Sequence, residues 1–285
     1  TGGNMQLQRT VMKRSELDSL KQLTDTGGQG RIYIHPSGYL IKEYRYGDSE
    51  KMDKVNQRLE TIGKEASIYG GLEKFCAVPE TLIQSFETNK LIGYYMKHFT
   101  EYTQLGSLAD LHHCVENNKI TIRKIATIFL AMHDRISHIH SRKFVIGDFS
   151  DNNILFKFVE KSVHLAFVDV DSWSICRTDL SLQHSAATEQ FCHPEIIEHP
   201  ERVAAYHDWY SYAFLLAYSL IKSDPFNTGG LKPEYSGIEN TPEGKTITWW
   251  DKRTELTKEQ AICIRRFGEK LTKTIQLWLQ GKPKG

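Results

Sequence analysis

The first third of the chain alternates short apolar, β-branched runs with glycine and polar turns. Such runs are typical of strands, and they predict strands at Leu23–Thr26, Arg31–His35, Gly38–Arg45, Thr81–Glu87 and Leu91–Lys97. Between the third and fourth strands, the charged segment Lys51–Tyr69 favours a helix that ends at a glycine pair. A β-rich region with one helix is therefore expected here.

After Phe99 the pattern changes from strand-like to helical. Apolar residues recur at helical spacing through Ile122–His140, which predicts a long amphipathic helix. Two short strands at Ile154–Phe158 and Val163–Val168 follow, and the remainder favours helix. We therefore predict an α+β protein with a small β-rich lobe at residues 5–97 and a larger helical lobe at residues 98–285, and we interpret residues 1–4 as a cloning remnant.

Charge and cysteine content narrow the class of protein. Lys plus Arg number 36 against 35 Asp plus Glu, a formal charge of +1, which argues against a nucleic-acid binder that works by bulk charge. The most apolar stretches, Ile125–Met132 and Tyr212–Ile221, are shorter than the roughly 18–20 residues of a membrane-spanning helix. The 5 cysteines form no C-x-x-C pair, which is typical of reduced thiols and predicts a cytoplasmic protein.

Two acidic segments in the second half have the spacing of a phosphoryl-transfer site. Asp148 and Asn153 are separated by four residues, so that one carboxylate can orient an attacking hydroxyl while a nearby amide oxygen holds Mg²⁺. Asp169 and Asp171 follow an apolar strand, where a carboxylate can bind the metal that bridges nucleotide phosphates. Asp169 is the preferred metal ligand because it ends the strand, and Asp171 is the alternative.

These segments resemble motifs of the protein-kinase superfamily, in its bacterial eukaryotic-like branch. Ile146-Gly147-Asp148 stands where that family has His-Arg-Asp, and Asp169-Val170-Asp171 stands where it has Asp-Phe-Gly. His193-Pro194-Glu195 resembles Ala-Pro-Glu, and Asp208–Ala213 resembles the Asp-x-Trp-Ser-x-Gly start of a helix. The resemblance spans about Leu23 to Leu277 and implies a bilobal protein-kinase-like fold.

In the N-terminal third, the resemblance implies a nucleotide site. Gly27, Gly28 and Gly30 lie in a segment that resembles the glycine-rich phosphate loop, although Asp25 occupies its first glycine position. Lys42 matches the strand lysine that contacts the α and β phosphates. The partner of Lys42 is expected to be Glu65, with Glu60 as the competitor. Further nucleotide contacts are expected from Ile32, Met96, His98 and Leu155.

The same resemblance implies the roles of the second-half residues. Asp148 orients the acceptor hydroxyl, Asn153 and Asp169 hold the metal, and Thr188 bonds Asp148 beneath the substrate. Gly147 replaces the arginine that pairs with a phosphorylated activation loop in many kinases, and this weakens the physical basis for control by loop phosphorylation. Candidate autophosphorylation sites in this loop are Ser172, Ser174, Thr178, Ser181 and Ser185.

The implied function is that of a Ser/Thr protein kinase that uses ATP and Mg²⁺ or Mn²⁺. Its expected partners are a protein substrate, the kinase itself among them, and a cognate metal-dependent phosphatase, with no nucleic acid. One alternative is a small-molecule phosphotransferase of the same superfamily, because the strand end at Asp169 and Asp171 also resembles those enzymes. The other is a binding scaffold, which would need Lys42, Asp148, Asn153 or Asp169 to be missing, and all are present.

Overall fold

The chain divides into two compact units. A computed structural model describes residues 6–24, 30–109, 120–176, 181–182, 188, 190–221, 224–226, 230–238 and 251–256, together with 261, 274–275, 277 and 279. The first unit takes in Thr1–Tyr102 and Ala166–Asp171, and the second takes in Thr103–Leu165 and Ser172–Gly285. The mixed α+β class agrees with the expectation from the sequence.

A six-stranded sheet with the order β1-β5-β6-β4-β3-β2 forms the first unit. Its strands are β1 (Gln8–Met12), β2 (Lys21–Thr24), β3 (Gly30–Ile34), β4 (Leu40–Tyr44), β5 (Thr81–Ser85) and β6 (Leu91–Met96). Strand β1 runs parallel to β5, and the other neighbours are antiparallel. Five of these strands match the sequence prediction, with ends that shift by a few residues.

Strand β4 lies in the interior of the sheet and is buried along its whole length. Two glycines let its neighbours pair with it closely. A Cβ on Gly93 of β6 would lie 2.1 Å from the Lys42 carbonyl oxygen, and a Cβ on Gly30 of β3 would lie 2.7 Å from that of Glu43. Both positions therefore exclude a side chain, and the close pairing fixes the backbone that carries Lys42.

Helix α2 (Ser49–Lys64) is shorter than the sequence predicted. Asp48 directly precedes the helix, and its side chain caps the first turn by accepting a hydrogen bond from the Glu50 amide. The helix ends at Lys64, and Ala66–Tyr69 form a separate 3₁₀ turn. Glu65 is the residue between the two, with φ −109° and ψ 27°. The prediction of one helix through Tyr69 was therefore wrong by about one turn.

An N-terminal segment that the hydrophobic pattern did not predict completes the first unit. It consists of β1 and the short helix α1 (Arg14–Asp18). Most of β1 is exposed or half-buried, so no apolar alternation marks it as a strand. It is held instead by backbone pairing with β5 and by the Leu7 amide, which donates to the Gly63 carbonyl at 2.9 Å.

The second unit combines helices with two small sheets. The sheets have the strand orders β10-β9-β7 and β12-β11-β8. Their strands are β7 (Thr103–Gln104), β8 (Phe144–Val145), β9 (Ile154–Val159), β10 (Ser162–Phe167), β11 (Ser174–Cys176) and β12 (Ser181–Leu182). The last two residues of β10 belong to the first unit. The α-helices are α3 (Ile122–Ser141), α4 (Pro194–Glu198) and α5 (Ala205–Ile221).

Helix α3 carries the apolar face that its spacing predicted. Its buried residues are Ile125, Ile128, Phe129, Met132, Ile136 and Ile139. The helix packs against α5, where the Tyr212 hydroxyl donates to the Phe129 carbonyl at 2.9 Å and the two rings meet edge to face. Within the described part of the chain, no helix is long and apolar enough to cross a membrane.

Candidate active site

Lys42 lies at the centre of a buried charge cluster in the first unit. It sits on β4 opposite Tyr94 of β6, and its residue is only 5% exposed. Its Nζ contacts the carboxylate of Asp169 and lies 2.9 and 3.2 Å from the two carboxylate oxygens of Asp171. One ammonium group therefore bridges both acids of the predicted metal segment.

The two carboxylates keep Lys42 charged although it is buried. Burial by itself lowers the pKa of a lysine, but the negative charges of Asp169 and Asp171 outweigh that effect and raise the pKa of Lys42 well above its usual range. The side chain is therefore a permanent cation at neutral pH. A permanent cation of this kind suits an anionic ligand such as a phosphate.

The Asp169–Asp171 segment reaches the first unit through the end of β10. The Phe167 amide donates to the Phe75 carbonyl and the Ala77 amide donates to the Phe167 carbonyl, both at 2.8 Å. Asp169 follows with φ 61°, a left-handed conformation that Asp tolerates better than most residues. The turn at Asp169 is followed by the 3₁₀ turn Val170–Ser172, which contains Asp171.

The two acids differ sharply in exposure. The Asp169 side chain is 26% exposed, whereas that of Asp171 is 2% exposed. Asp171 also accepts a hydrogen bond from the Tyr94 hydroxyl, and its backbone carbonyl accepts one from Nε of Arg58. Burial raises the pKa of Tyr94, so its hydroxyl remains a neutral donor.

The predicted Lys42–Glu65 pair is not formed. Glu65 lies beyond the last residue of α2. The competitor, Glu60, forms an ion pair with Arg9 at 2.7 Å. Among the described residues, the carboxylates that Lys42 contacts are those of Asp169 and Asp171.

The other predicted nucleotide-binding residues fall in several places. Gly27 and Gly28 lie outside the described residues, as does Asp25. Gly30 and Ile32 lie on β3, Met96 is the last residue of β6, and His98 follows it. Leu155 is half-buried on β9 of the second unit. Their contacts with a nucleotide stay predictions.

In the second unit, Asp148 is held in a fixed orientation. It is 7% exposed. Its Oδ2 accepts a hydrogen bond from the Asn153 side-chain amide at 3.1 Å, and the same amide donates to the Asp148 carbonyl at 3.2 Å. Its Oδ1 accepts the backbone amide of Thr188 at 2.7 Å. Asn153 uses its amide nitrogen for both bonds, and its predicted role as a metal ligand would fall to its amide oxygen.

The contact between Thr188 and Asp148 brings together two segments that are far apart in sequence. It is made by the backbone amide of Thr188, whereas the family resemblance implied a side-chain bond. The Thr188 carbonyl in turn accepts the amide of Phe191 at 3.0 Å, so the segment turns back just after the contact. Because the donor is the backbone N–H, any residue other than proline at position 188 could make this hydrogen bond.

Asp208 supports the loop that carries Asp148. It is fully buried at the start of α5. Its Oδ1 accepts the Gly147 amide at 2.8 Å, and its Oδ2 accepts the Ile146 amide at 2.9 Å. His140 Nε2 also contacts Oδ2, at 2.8 Å. Gly147 takes φ 70°, which suits glycine, so the loop turns at this anchored point.

A sulfur contact adds to the hold on this loop. The Cys192 thiol donates to the Gly147 carbonyl at 3.4 Å. Burial, with a smaller contribution from the Asp148 charge, raises the pKa of Cys192 to about 12. The residue is therefore an unreactive thiol at neutral pH.

The His193-Pro194-Glu195 segment forms the start of α4. Glu195 contacts the Tyr206 hydroxyl and lies 3.2 Å from His207 Nε2. His193, Glu195 and His207 each offer one ligand atom, and these three atoms lie close enough together to suggest a metal site. However, Nδ1 of His193 accepts the Glu195 amide and Nδ1 of His207 accepts the Ala204 amide. Neutral rings bonded in this way carry their proton on Nε2, so the arrangement is one of helix capping.

Two of the five candidate phosphorylation sites are buried. Ser172 and Ser174 are 2% and 1% exposed, so their hydroxyls cannot reach another active site without local unfolding. That interpretation of these two residues was wrong, because the sequence does not show that the chain folds inward after Asp171. Ser181 lies on β12, while Thr178 and Ser185 lie outside the described residues.

One family model covers most of the candidate site residues, from Lys42 onward. The model of the protein kinase domain matches residues 39–279, far more than half of the chain. The chain belongs to the protein kinase family. Its membership confirms the predicted superfamily and the fold class, and it supports phosphotransferase activity with ATP and a divalent metal in general.

One curated relative of this kinase is a serine/threonine-protein kinase, ksp1 of Schizosaccharomyces pombe. It is 30% identical over 121 residues, which cover 41% of this chain and 24% of the relative. The chain thus spans about a quarter of that protein.

Sequence reasoning missed three parts of the kinase site. The first is the role of Tyr94 and Arg58 beside Asp171, and the second is the direct contact of Asp171 with Lys42. The third is the use of a backbone amide at Thr188. A tyrosine on a strand and an arginine on a helix carry no motif, so no signal in the sequence could have singled them out.

Proposed function

We propose that this kinase transfers the γ-phosphoryl group of ATP to serine and threonine hydroxyls of proteins, itself among them, with the help of Mg²⁺ or Mn²⁺. The family match supports protein kinase activity, and the relative supports the choice of hydroxyl. A protein acceptor, a cognate phosphatase and the metal itself are parts of this proposal.

Each half of the chemistry has residues suited to it. Lys42 offers a permanent positive charge for the α and β phosphates. Asp148 orients the acceptor hydroxyl and accepts its proton. A bound divalent ion would neutralise charge on the transferring phosphoryl group. The Asn153 amide oxygen and the partly exposed Asp169 carboxylate would hold it, since both are oxygen ligands of the kind that Mg²⁺ prefers.

The observation that carries a protein acceptor is the bond from the Thr188 amide to Asp148. It links the carboxylate that would receive the hydroxyl proton to the segment that leads into His193-Pro194-Glu195. A substrate chain that lies on this segment would thereby be placed in register with the proton acceptor. A free small molecule needs no such link, so the contact favours a peptide acceptor.

The test is incubation of the purified chain with γ-labelled ATP and MgCl₂, with and without a generic serine- and threonine-rich acceptor protein. Mass spectrometry then locates phosphate on the acceptor and on the kinase. We expect phosphoserine or phosphothreonine on both, and on the kinase itself at residues other than the buried Ser172 and Ser174. Asp148→Asn is the matched control and should abolish the signal.

Three results would contradict the proposal, each in a different way. Phosphotyrosine alone would show a protein kinase of another specificity. Label found only on small-molecule acceptors would favour the small-molecule phosphotransferase. ATP binding without any transfer, under conditions where the protein is folded, would favour the binding scaffold.

A further inference from the structure

The buried charge cluster around Lys42 lacks the helix glutamate that the family resemblance implies. Helix α2 instead directs Arg58 towards the cluster, where its Nε donates to the Asp171 carbonyl. Among the described residues, neither of the two acids considered on and after this helix forms an ion pair with Lys42: Glu60 pairs with Arg9, and Glu65 follows the helix end. The helix therefore contributes a cation at the place where an anion was expected.

Asp171 has the contacts of a permanent anchor for the lysine. Both of its carboxylate oxygens lie within 3.2 Å of Lys42 Nζ, and its Oδ1 also accepts the Tyr94 hydroxyl. The backbone carbonyl of the same residue is held by Arg58. With its side chain 2% exposed, Asp171 is fully engaged within the protein and faces little solvent.

Asp169 has a different character, although it also contacts Lys42. Its side chain is 26% exposed, and it sits in a left-handed turn at the end of the strand. A magnesium ion usually keeps several of its water ligands, so it needs a carboxylate that solvent can reach. Asp169 meets that requirement, whereas Asp171 does not.

We propose that Asp171 is the positioning residue that holds Lys42 for the nucleotide phosphates, in place of the glutamate expected from helix α2, while Asp169 is left to the metal. Tyr94 and Arg58 fix Asp171 in turn. The proposal rests on the proposed function only in taking ATP as the ligand of Lys42. It divides two neighbouring acids, which the sequence alone left as alternatives, between two different roles.

The experiment compares Asp171→Asn with Glu65→Gln, the variant of the residue assigned by resemblance. Steady-state kinetics with MgATP give kcat and KM, and thermal shifts with ATP in EDTA report nucleotide binding without metal. Tyr94→Phe serves as a second variant that keeps the packing and removes only the hydroxyl. Glu43→Gln is the matched control, because Glu43 is another buried acid of the same unit, bonded to Tyr33 and Arg45 at 3.0 Å.

We expect Asp171→Asn to lower kcat/KM for ATP by about 10²-fold, since small misplacements of a phosphate-binding group have effects of that order. The shift produced by ATP in EDTA should shrink as well. Tyr94→Phe should give a loss in the same direction but smaller, and Asp171→Glu should recover part of the activity. Glu65→Gln and Glu43→Gln should leave the kinetic constants close to wild type, even if Glu43→Gln lowers the melting temperature.

A double-mutant cycle separates positioning from simple stability. If Asp171 acts through Lys42, then Asp171→Asn should cause no further loss of ATP binding or transfer in a Lys42→Met background. Independent, additive losses would overturn the proposal, and so would a strong effect of Glu65→Gln with a weak effect of Asp171→Asn. If Asp171→Asn does not fold, the same cycle with Tyr94→Phe decides.

Failure of this inference can be told from failure of the proposed function. A wild-type chain that binds ATP but phosphorylates no protein refutes the proposed function, while the EDTA binding cycle still tests the role of Asp171. An Asp171→Asn variant that phosphorylates proteins at the wild-type rate refutes this inference but leaves the proposed function intact. A wild-type chain that binds no ATP overturns both.

Discussion

Replacement of Asp208 by asparagine tests how firmly the loop bearing Asp148 is anchored. Asp208 is fully buried and receives the amides of Ile146 and Gly147 and a contact from His140. Asparagine has the same shape but only one acceptor oxygen, so its amide group would face at least one of these donors. The change therefore removes a charge and creates a donor–donor clash at the base of the loop.

The magnitude follows from the hydrogen bonds that the substitution breaks. A hydrogen bond to a charged group contributes about 1.5–3 kcal/mol. Removal of one acceptor oxygen of the carboxylate, with a buried donor left unsatisfied, should therefore cost about 3 kcal/mol in the free energy of unfolding. At roughly 2–4 °C per kcal/mol, the melting temperature should fall by about 6–12 °C.

The assay combines calorimetry with kinetics. We expect kcat for phosphoryl transfer to fall at least ~10-fold because Asp148 is no longer held in place, while KM for ATP changes by less than about twofold. The control is Asp134→Asn, whose side chain is 86% exposed and which should alter neither quantity. A melting temperature and kcat equal to wild type for Asp208→Asn would refute the anchoring role.

Three further expectations follow from the site. With ATP bound, Mg²⁺ should raise the melting temperature of the protein further, and Asp169→Asn should remove that rise while the apo protein stays folded. An unchanged rise in the variant would assign the metal to Asp171. In assays with a peptide acceptor, Thr188→Ala should retain most of the phosphoryl-transfer activity because the backbone N–H remains. Asp148→Ala should lower the transfer rate by at least ~10²-fold. Equal losses in the two variants would contradict the role of the backbone amide. Because the pKa of Cys192 is raised to about 12, its thiol stays protonated at pH 8, so iodoacetamide should modify the exposed Cys176 before Cys192. Mass spectrometry that shows Cys192 labelled as early as Cys176 would contradict the burial of Cys192.

The sequence determined those features that depend on local pattern. Strand alternation, the helical spacing of α3 and the order of the acidic motifs were enough to predict the α+β class and the kinase family, which the domain match confirms. These signals are readable because side chains repeat along a strand or a helix with a period that depends on the backbone alone.

Features held together by contacts between distant segments needed the tertiary structure. Strand β1 is specified by backbone pairing with β5, which leaves no apolar pattern in its own residues. The partner of Lys42 was misjudged because the end of α2 at Lys64 takes Glu65 off the helix, while the turn after β10 brings Asp171 against the ammonium group. A motif records which residues follow one another, but a charge pairs with whichever opposite charge the fold buries beside it.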